Sequence, residues 1–142
     1  MSDVILGNCF EVAAQMVVDF FGEDCPELAG LSDIRLAHGI VCGQGPLEGY
    51  RFTHAWVEGV SEKGIPMVVD CSNGREVVMP QGLYYLIGGI DEEEVQRYTD
   101  DQARERLIER ATYGPWDGAP AKHVDPKPSE VEGYESYCRS VA

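Results

Sequence analysis

Cys9, His54 and Asp70 are side chains of the types that act together in nucleophilic chemistry. A thiolate attacks an acyl carbon far better than a thiol does, and an imidazole can take the thiol proton and return a proton to a leaving group. A carboxylate bonded to that imidazole fixes its tautomer and orientation. The residue types therefore predict a Cys-His-Asp triad, provided that the fold brings the three together.

A predicted β-hairpin brings His54 to Asp70. Aromatic and β-branched residues favour strands over about 51–60 and 65–71, joined by a three-residue loop in which Gly64 suits the left-handed position. This loop length sets a register in which His54 and Asp70 are diagonal neighbours on one face. We expect a hydrogen bond of roughly 2.7–3.2 Å between them.

Cys9 begins a pattern that predicts an amphipathic helix over 9–21. Asn8 is a suitable N-cap, and Gly22 is a suitable C-terminal stop. The polar residues recur every four positions and form one narrow stripe, away from Cys9: Glu11, Gln15 and Asp19. Cys9 is thus expected at a helix N-terminus, pointing inward, where the helix dipole stabilises a thiolate.

Three segments resemble the core of the transglutaminase-like superfamily: Gly7-Asn8-Cys9, His54-Ala55-Trp56-Val57-Glu58 and Val68-Val69-Asp70. The resemblance covers roughly residues 7–72, and the remainder is similar to small proteins encoded by bacteriophages. It implies an α+β, papain-like fold, with an N-terminal buried helix packed on an antiparallel sheet. It also implies thiol-dependent acyl transfer on an amide, of the peptidase, deamidase or transglutaminase type, with Cys9, His54 and Asp70 as the catalytic triad.

Two features depart from the family pattern. Cys71-Ser72 follows the aspartate, where the family often has Pro-Thr. Only eight residues precede Cys9, so an upstream aromatic or glutamine side chain that helps the oxyanion in relatives has no counterpart. Three residues are instead considered for orienting the substrate or the oxyanion: Asn8, Gln44 and Trp56.

Each of these residues also has a purely structural interpretation. In this interpretation Cys9 is a small buried hydrophobic residue, His54 is a core histidine beside Trp56, and Asp70 caps a loop. Asn8 is then an N-cap, Gln44 is a turn residue, and Trp56 is a ring that packs on the histidine-aspartate pair. The alternative to an enzyme is therefore a non-catalytic binding or inhibitor protein that keeps the fold and interacts through its acidic surface or tail.

The net charge and the absence of ligand-binding motifs restrict the classes of partner and cofactor that are expected. Twenty-five acidic residues against eleven basic ones give a net charge of −14, which argues against nucleic acid and anionic membranes and allows a protein or peptide substrate, possibly basic. No nucleotide or calcium motif occurs, so no cofactor is expected. His38, Cys42 and Cys71 lack chelating spacing, so no metal is expected. Oligomeric state stays open.

The chain length predicts one domain, 1–117, followed by an acidic, proline-containing tail, 118–142. Five cysteines without a repeated spacing, and no signal-peptide pattern, favour a reducing cytoplasm. Further strands are expected over 34–41 and 76–79. A short helix over 80–87 is expected to point Leu83, Leu86 and Ile87 inward. Thr99-Asp100-Asp101-Gln102 predicts a capping box for a last helix, while 91–98 suits either helix or strand.

Overall fold

The computed structural model describes residues 9–20, 26–42, 51–71 and 76–116, without the side chains of Asp19, Phe20 and Glu27. The expectations for Asn8, Gln44 and the tail 118–142 fall outside these residues.

The fold is α+β, with three α-helices and five strands in the described part of the chain. The helices are α1 (Cys9–Gln15), α2 (Gln81–Gly88) and α3 (Asp100–Arg110). The strands are β1 (Ser32–Cys42), β2 (Arg51–Val60), β3 (Pro66–Asp70), β4 (Val77–Pro80) and β5 (Gln96–Tyr98). They form one antiparallel sheet in the order β4-β3-β2-β1-β5. The ambiguous segment 91–98 divides into a 3-10 turn, Glu92–Glu94, and β5.

The β2-β3 hairpin has the register that its sequence predicts. Val57 pairs with Val69, and the backbone N–H of Ser61 donates to the carbonyl of Ile65 at 2.9 Å. Gly64 has a φ of 80°, the left-handed conformation that glycine adopts without steric cost. Because side chains alternate along a strand, this register places the even-numbered residues of both strands on one face of the sheet.

The two faces of the sheet pack against different helices. We call the side that carries Ala55, Val57 and Val69 the α1 face, because these residues share a core with Ala13 and Val17 of the first helical segment. The opposite side, here the α2 face, packs against Tyr84 and Tyr85 of α2 and has these sheet residues in its core: Ala37, Val41, Phe52, Trp56 and Val68. β2 thus lies between two apolar layers.

The first helical segment confirms the predicted inward position of Cys9. Cys9, Ala13 and Met16 are buried, whereas Glu11 is exposed. After α1 the helix continues in π form over Met16–Phe20. Arg104 of α3 donates to the backbone carbonyl of Val18 at 3.0 Å. Carbonyl groups in the last turn of a helix lack their usual partners within the helix, and Arg104 supplies a donor to one of them.

The prediction for α2 was wrong about which face points inward. Leu83, Leu86 and Ile87 are 47, 79 and 47% exposed, and the adjacent tyrosines, Tyr84 and Tyr85, pack on the sheet instead. The tyrosines bury aromatic area and also donate to carboxylates of the sheet, which the aliphatic face cannot do. A hydrogen bond to a charged acceptor contributes about 1.5–3 kcal/mol, about as much as burying one leucine, so the two bonds and the buried aromatic area together favour this orientation.

The last helix begins with the predicted capping box. The Thr99 hydroxyl accepts from the N–H of Gln102, whose side chain accepts from the N–H of Thr99. Ala103 is fully buried and Ile108 is 83% exposed, so α3 packs on the rest of the fold through a narrow stripe. In the parts of the chain that the structure describes, none of the helices is both long and apolar enough to cross a membrane.

Candidate functional site

His54 and Asp70 form the hydrogen bond that the hairpin register predicts. His54 Nε2 lies 2.8 Å from Asp70 Oδ2, within the expected range. Both side chains are largely buried, with 10 and 13% of their surface exposed. Because the bond joins β2 to the last residue of β3, the sheet itself holds the imidazole and the carboxylate together.

Tyr84 is a second donor to the same carboxylate oxygen. Its hydroxyl donates to Asp70 Oδ2 at 2.7 Å, and α2, which carries Tyr84, packs on the same face of the sheet. A carboxylate held by two donors loses rotational freedom, and donation to its oxygen reduces the negative charge that it presents to His54. Tyr84 therefore affects both where Asp70 points and how strongly it acts on the ring.

Cys9 is the second group that acts on the charge of His54. After the Asp70 carboxylate, the Cys9 side chain raises the pKa of the imidazole. Since Nε2 faces Asp70, Nδ1 is the ring nitrogen left for a second partner. The first residue of α1 and the last residue of β3 thus meet at one imidazole, although they lie far apart in the sequence.

A small pocket lies where the beginning of α1 meets the end of β3. Its lining combines residues of the first helical segment, of β2 and of the end of β3: Cys9, Val12, Ala13, Met16, Ala55, Trp56, Val69, Asp70 and Cys71. Apart from Asp70 and the two thiols, this lining is apolar, which favours interactions between the few polar groups that face it.

The electrostatics of His54 favour its charged form. Burial disfavours the charge, but the Asp70 carboxylate and then Cys9 act more strongly together, so the pKa of His54 lies well above its ordinary value. The physical cause is the placement of an imidazole between two groups that carry or can carry negative charge. The ring is thus suited to exist as imidazolium beside a sulfur at neutral pH.

Trp56 contacts the face of the His54 ring, as the structural interpretation of this residue expected. The two ring centroids are 6.1 Å apart with an angle of 29° between the planes. Gly39 of β1 makes room for the indole, since a Cβ at that position would lie 2.8 Å from Trp56 Cη2. Substitution of Gly39 would therefore move the ring that packs on the histidine.

A buried network around Glu58 holds Trp56 in place. Glu58 is 5% exposed and accepts from Trp56 Nε1 at 2.9 Å and from Arg97 Nε at 2.6 Å. It also accepts from the hydroxyl of Tyr85, to which Arg97 donates at 2.9 Å. Burial and then the Glu58 carboxylate raise the pKa of Tyr85, so its hydroxyl remains a donor. The network thus fixes the orientation of the indole through its N–H group.

The site contains residues that the sequence analysis did not identify. Tyr84, Tyr85 and Arg97 were missed as partners of carboxylates, because α2 was expected to turn its leucines inward and 91–98 was ambiguous. The available signal was a glutamate inside a strand otherwise rich in apolar residues. A carboxylate at such a position needs donors, and tyrosine and arginine supply them.

Of the predicted substrate- or oxyanion-orienting residues, only Trp56 lies in the described part of the chain, and it adjoins His54. In the described part of the chain, no group of three or more His, Cys, Asp or Glu side chains is arranged to hold a metal ion.

Comparisons with protein-family models, curated proteins and solved structures find no match to this chain. The functional assignment therefore depends on the chain's own residues and their geometry.

We expect His54 to titrate above the ordinary imidazole value of about 6.5. Its raised pKa means that the protonated ring persists to higher pH than in an unfolded chain. In Asp70→Asn the largest influence that raises this pKa is removed while burial remains, so the midpoint should fall. An NMR titration of the three histidines measures both values. A wild-type midpoint at or below about 6.5 would contradict the assignment of His54 as an imidazolium.

In the same titration, Tyr84→Phe is expected to shift the His54 midpoint in the direction opposite to that of Asp70→Asn. Without the hydroxyl, Asp70 Oδ2 presents more negative charge to the ring, so the His54 midpoint should rise above the wild-type value. His38 is the internal control, because it lies on the α1 face among Phe10, Tyr98 and Trp116. Equal shifts of His38 and His54 would indicate a general change of structure rather than an effect through Asp70.

Proposed function

We propose that this protein is a cysteine hydrolase or acyltransferase that acts on an amide through Cys9, His54 and Asp70, with a papain-like core of the transglutaminase-like type. The observation that carries the proposal is the geometry of His54. One ring nitrogen is hydrogen-bonded to a largely buried carboxylate at 2.8 Å. The thiol of Cys9, at the start of a helix, lines a pocket with that carboxylate and raises the pKa of the ring. This order of groups is the one that nucleophilic catalysis by cysteine requires.

In the first half-reaction the Cys9 thiolate attacks the carbonyl carbon of the amide. A C–S bond forms, and the carbonyl π electrons move to oxygen to give a tetrahedral oxyanion. The His54 imidazolium then donates its proton to the leaving nitrogen as the C–N bond breaks. The products are a thioester at Cys9, a free amine or ammonia, and a neutral imidazole that Asp70 keeps in the productive tautomer.

In the second half-reaction the neutral imidazole accepts a proton from water or from an amine. That nucleophile attacks the thioester carbon, the C–S bond breaks, and the Cys9 thiolate and His54 imidazolium are restored. Water gives a peptidase or deamidase, and an amine gives a transglutaminase. The proposed substrate is a protein or peptide, and the net charge of −14 favours one with basic residues near the acyl group.

The backbone N–H of Cys9 is the proposed donor to the oxyanion. Because α1 begins at Cys9, the amides of its first turn have no acceptor within the helix. The positive end of the helix faces the same point and favours the negative charge that develops on the carbonyl oxygen.

Acylation of Cys9 by a simple activated ester tests the proposal without knowledge of the substrate. With p-nitrophenyl acetate near neutral pH, we expect a burst of nitrophenolate and an acetyl group on Cys9, found by mass spectrometry of peptides. Iodoacetamide should likewise alkylate Cys9 before the other four cysteines.

The competing hypothesis, a binding or inhibitor protein, predicts a different result. It requires no activated thiol, so Cys9 would react no faster than an ordinary buried cysteine. Faster labelling of Cys25 or Cys138 in the folded protein, with Cys9 silent, would refute the catalytic proposal.

A further inference from the structure

Two thiols share the pocket at the candidate site. Cys9 begins α1 and Cys71 directly follows β3, and both line the same small cavity. Neither is part of a disulfide. The transglutaminase-like triad has a use for only one thiol, so Cys71 has no role in the proposed acyl transfer.

Strand alternation explains why Cys71 lies on the α1 face. Asp70 points to the α2 face, where it bonds to His54, so the next residue points to the α1 face. There Cys71 packs against the core that contains Ala13, one helical turn beyond Cys9. The end of β3 therefore presents a carboxylate to the histidine on one side and a thiol toward α1 on the other.

Cys71 lies outside the part of β3 that is paired with β4. The paired part of β3 ends at Asp70, so Cys71 lies beyond the last β3-β4 pair. A disulfide requires the two Cβ atoms to come within about 3.5–4.5 Å. A residue at the end of a strand can make the required adjustment without breaking the pairing of the sheet.

We propose that Cys9 and Cys71 are a modification site, at which a hydroperoxide converts them reversibly into a disulfide. This inference uses only the thiolate character of Cys9 from the proposed function. The Cys9 thiolate attacks one oxygen of hydrogen peroxide, the O–O bond breaks, and sulfenic acid and hydroxide form. The Cys71 thiol, on losing its proton, then displaces hydroxide from the Cys9 sulfur, so that an S–S bond forms and water is released.

The disulfide has two consequences. It removes the nucleophile, so acylation of Cys9 stops until a thiol reductant restores it. It also protects Cys9, because sulfenic acid that is not captured by a thiol proceeds to sulfinic and sulfonic acids, which such reductants do not reverse. Cys71 thus acts as a resolving cysteine.

Peptide mapping after treatment of the full chain with hydrogen peroxide tests the inference. A protease that cleaves after glutamate separates Cys9 from Cys25, because Glu11 and Glu23 lie between them, and it releases Cys71 in a different peptide. We expect the Cys9 and Cys71 peptides to be joined in monomeric protein, and free again after dithiothreitol. Coupling of Cys9 to any other cysteine, or between two chains, would overturn the proposal.

Variants add an independent readout. In Cys71→Ser we expect Cys9 to gain two or three oxygens, and its alkylation by iodoacetamide should no longer be recovered with dithiothreitol. Cys42→Ser is the matched control, since Cys42 is also partly exposed but does not line the pocket, and it should behave as wild type. Full recovery of Cys9 in Cys71→Ser would refute a resolving role.

These results are distinguishable from failure of the proposed function. Acylation of Cys9 by p-nitrophenyl acetate without a peroxide-induced cross-link would leave the enzyme proposal standing and refute the disulfide. A Cys9–Cys71 cross-link without acylation would support the modification site and count against acyl transfer.

Discussion

Cys9→Ala is expected to abolish acyl transfer while the fold survives. The substitution removes the only atom that can form the thioester, so neither the burst of nitrophenolate nor an acetylated peptide should appear. Cys9 is 7% exposed and lines a pocket together with Ala13, so loss of one sulfur should cost on the order of 1 kcal/mol of unfolding free energy. Burst kinetics and urea denaturation of the same preparation measure both effects.

Two comparisons make this result specific. Cys42→Ala removes a thiol outside the pocket and should keep the full burst. Deletion of residues 119–142 tests the alternative of a binding protein, whose activity would depend on its acidic tail rather than on a thiol. Unchanged biological activity in Cys9→Ala, combined with loss on deletion of the tail, would exclude the enzyme hypothesis.

Glu58→Ala is expected to be the most destabilising of the substitutions considered. It leaves the indole N–H of Trp56 and the guanidinium of Arg97 without their shared carboxylate. Removing one partner of a buried ion pair typically costs about 3–5 kcal/mol. Because the Arg97 side chain is 26% exposed and retains contact with water, we expect the lower end, about 3 kcal/mol, measured by urea denaturation.

A double-mutant cycle isolates the ion pair from other effects of truncation. Arg97→Ala leaves Glu58 buried with only its neutral donors, so it too should destabilise the fold. The double variant should lose less than the sum of the two single losses, since it buries no unpaired charge. Arg35→Ala is the control, because the Arg35–Asp33 pair is exposed and should be worth less than about 1 kcal/mol. Strict additivity in the Glu58–Arg97 cycle would show that the two charges are not coupled.

The same variants connect stability to the site. Glu58 holds Trp56, and Trp56 packs on the face of the His54 ring. Glu58→Gln keeps an acceptor for the indole and should retain more acylation activity than Glu58→Ala at equal fractions of folded protein. Activity that depends only on the folded fraction would assign the network to stability alone.

Local sequence determined the relation between His54 and Asp70. A three-residue loop with Gly64 at its left-handed position permits one register, and a strand's two-residue period then decides which side chains share a face. The inward position of Cys9 likewise follows from the helical period, since the polar residues around it recur on another side. Both predictions rest on interactions within one element or one hairpin, which are visible in a short window of sequence.

The direction of α2 was decided by the tertiary structure. Its sequence presents an aliphatic stripe and two adjacent tyrosines, and either can face the sheet. The choice depends on Asp70 and Glu58, which lie 14 and 27 positions away from the tyrosines that bond to them. Buried carboxylates require donors, whereas exposed leucines cost only the area that they leave in water, so the requirement of the carboxylates prevails.

The meeting of Cys9 with His54, and of Cys71 with the same pocket, also exists only in the folded chain. The sequence supplied the residue types and, through the hairpin, one of the contacts. Contact between the start of α1 and the end of β3 depends on how α1 packs across the sheet, which involves apolar side chains from several elements at once. Hydrophobic packing is non-directional, so no short stretch of sequence encodes where two such elements meet.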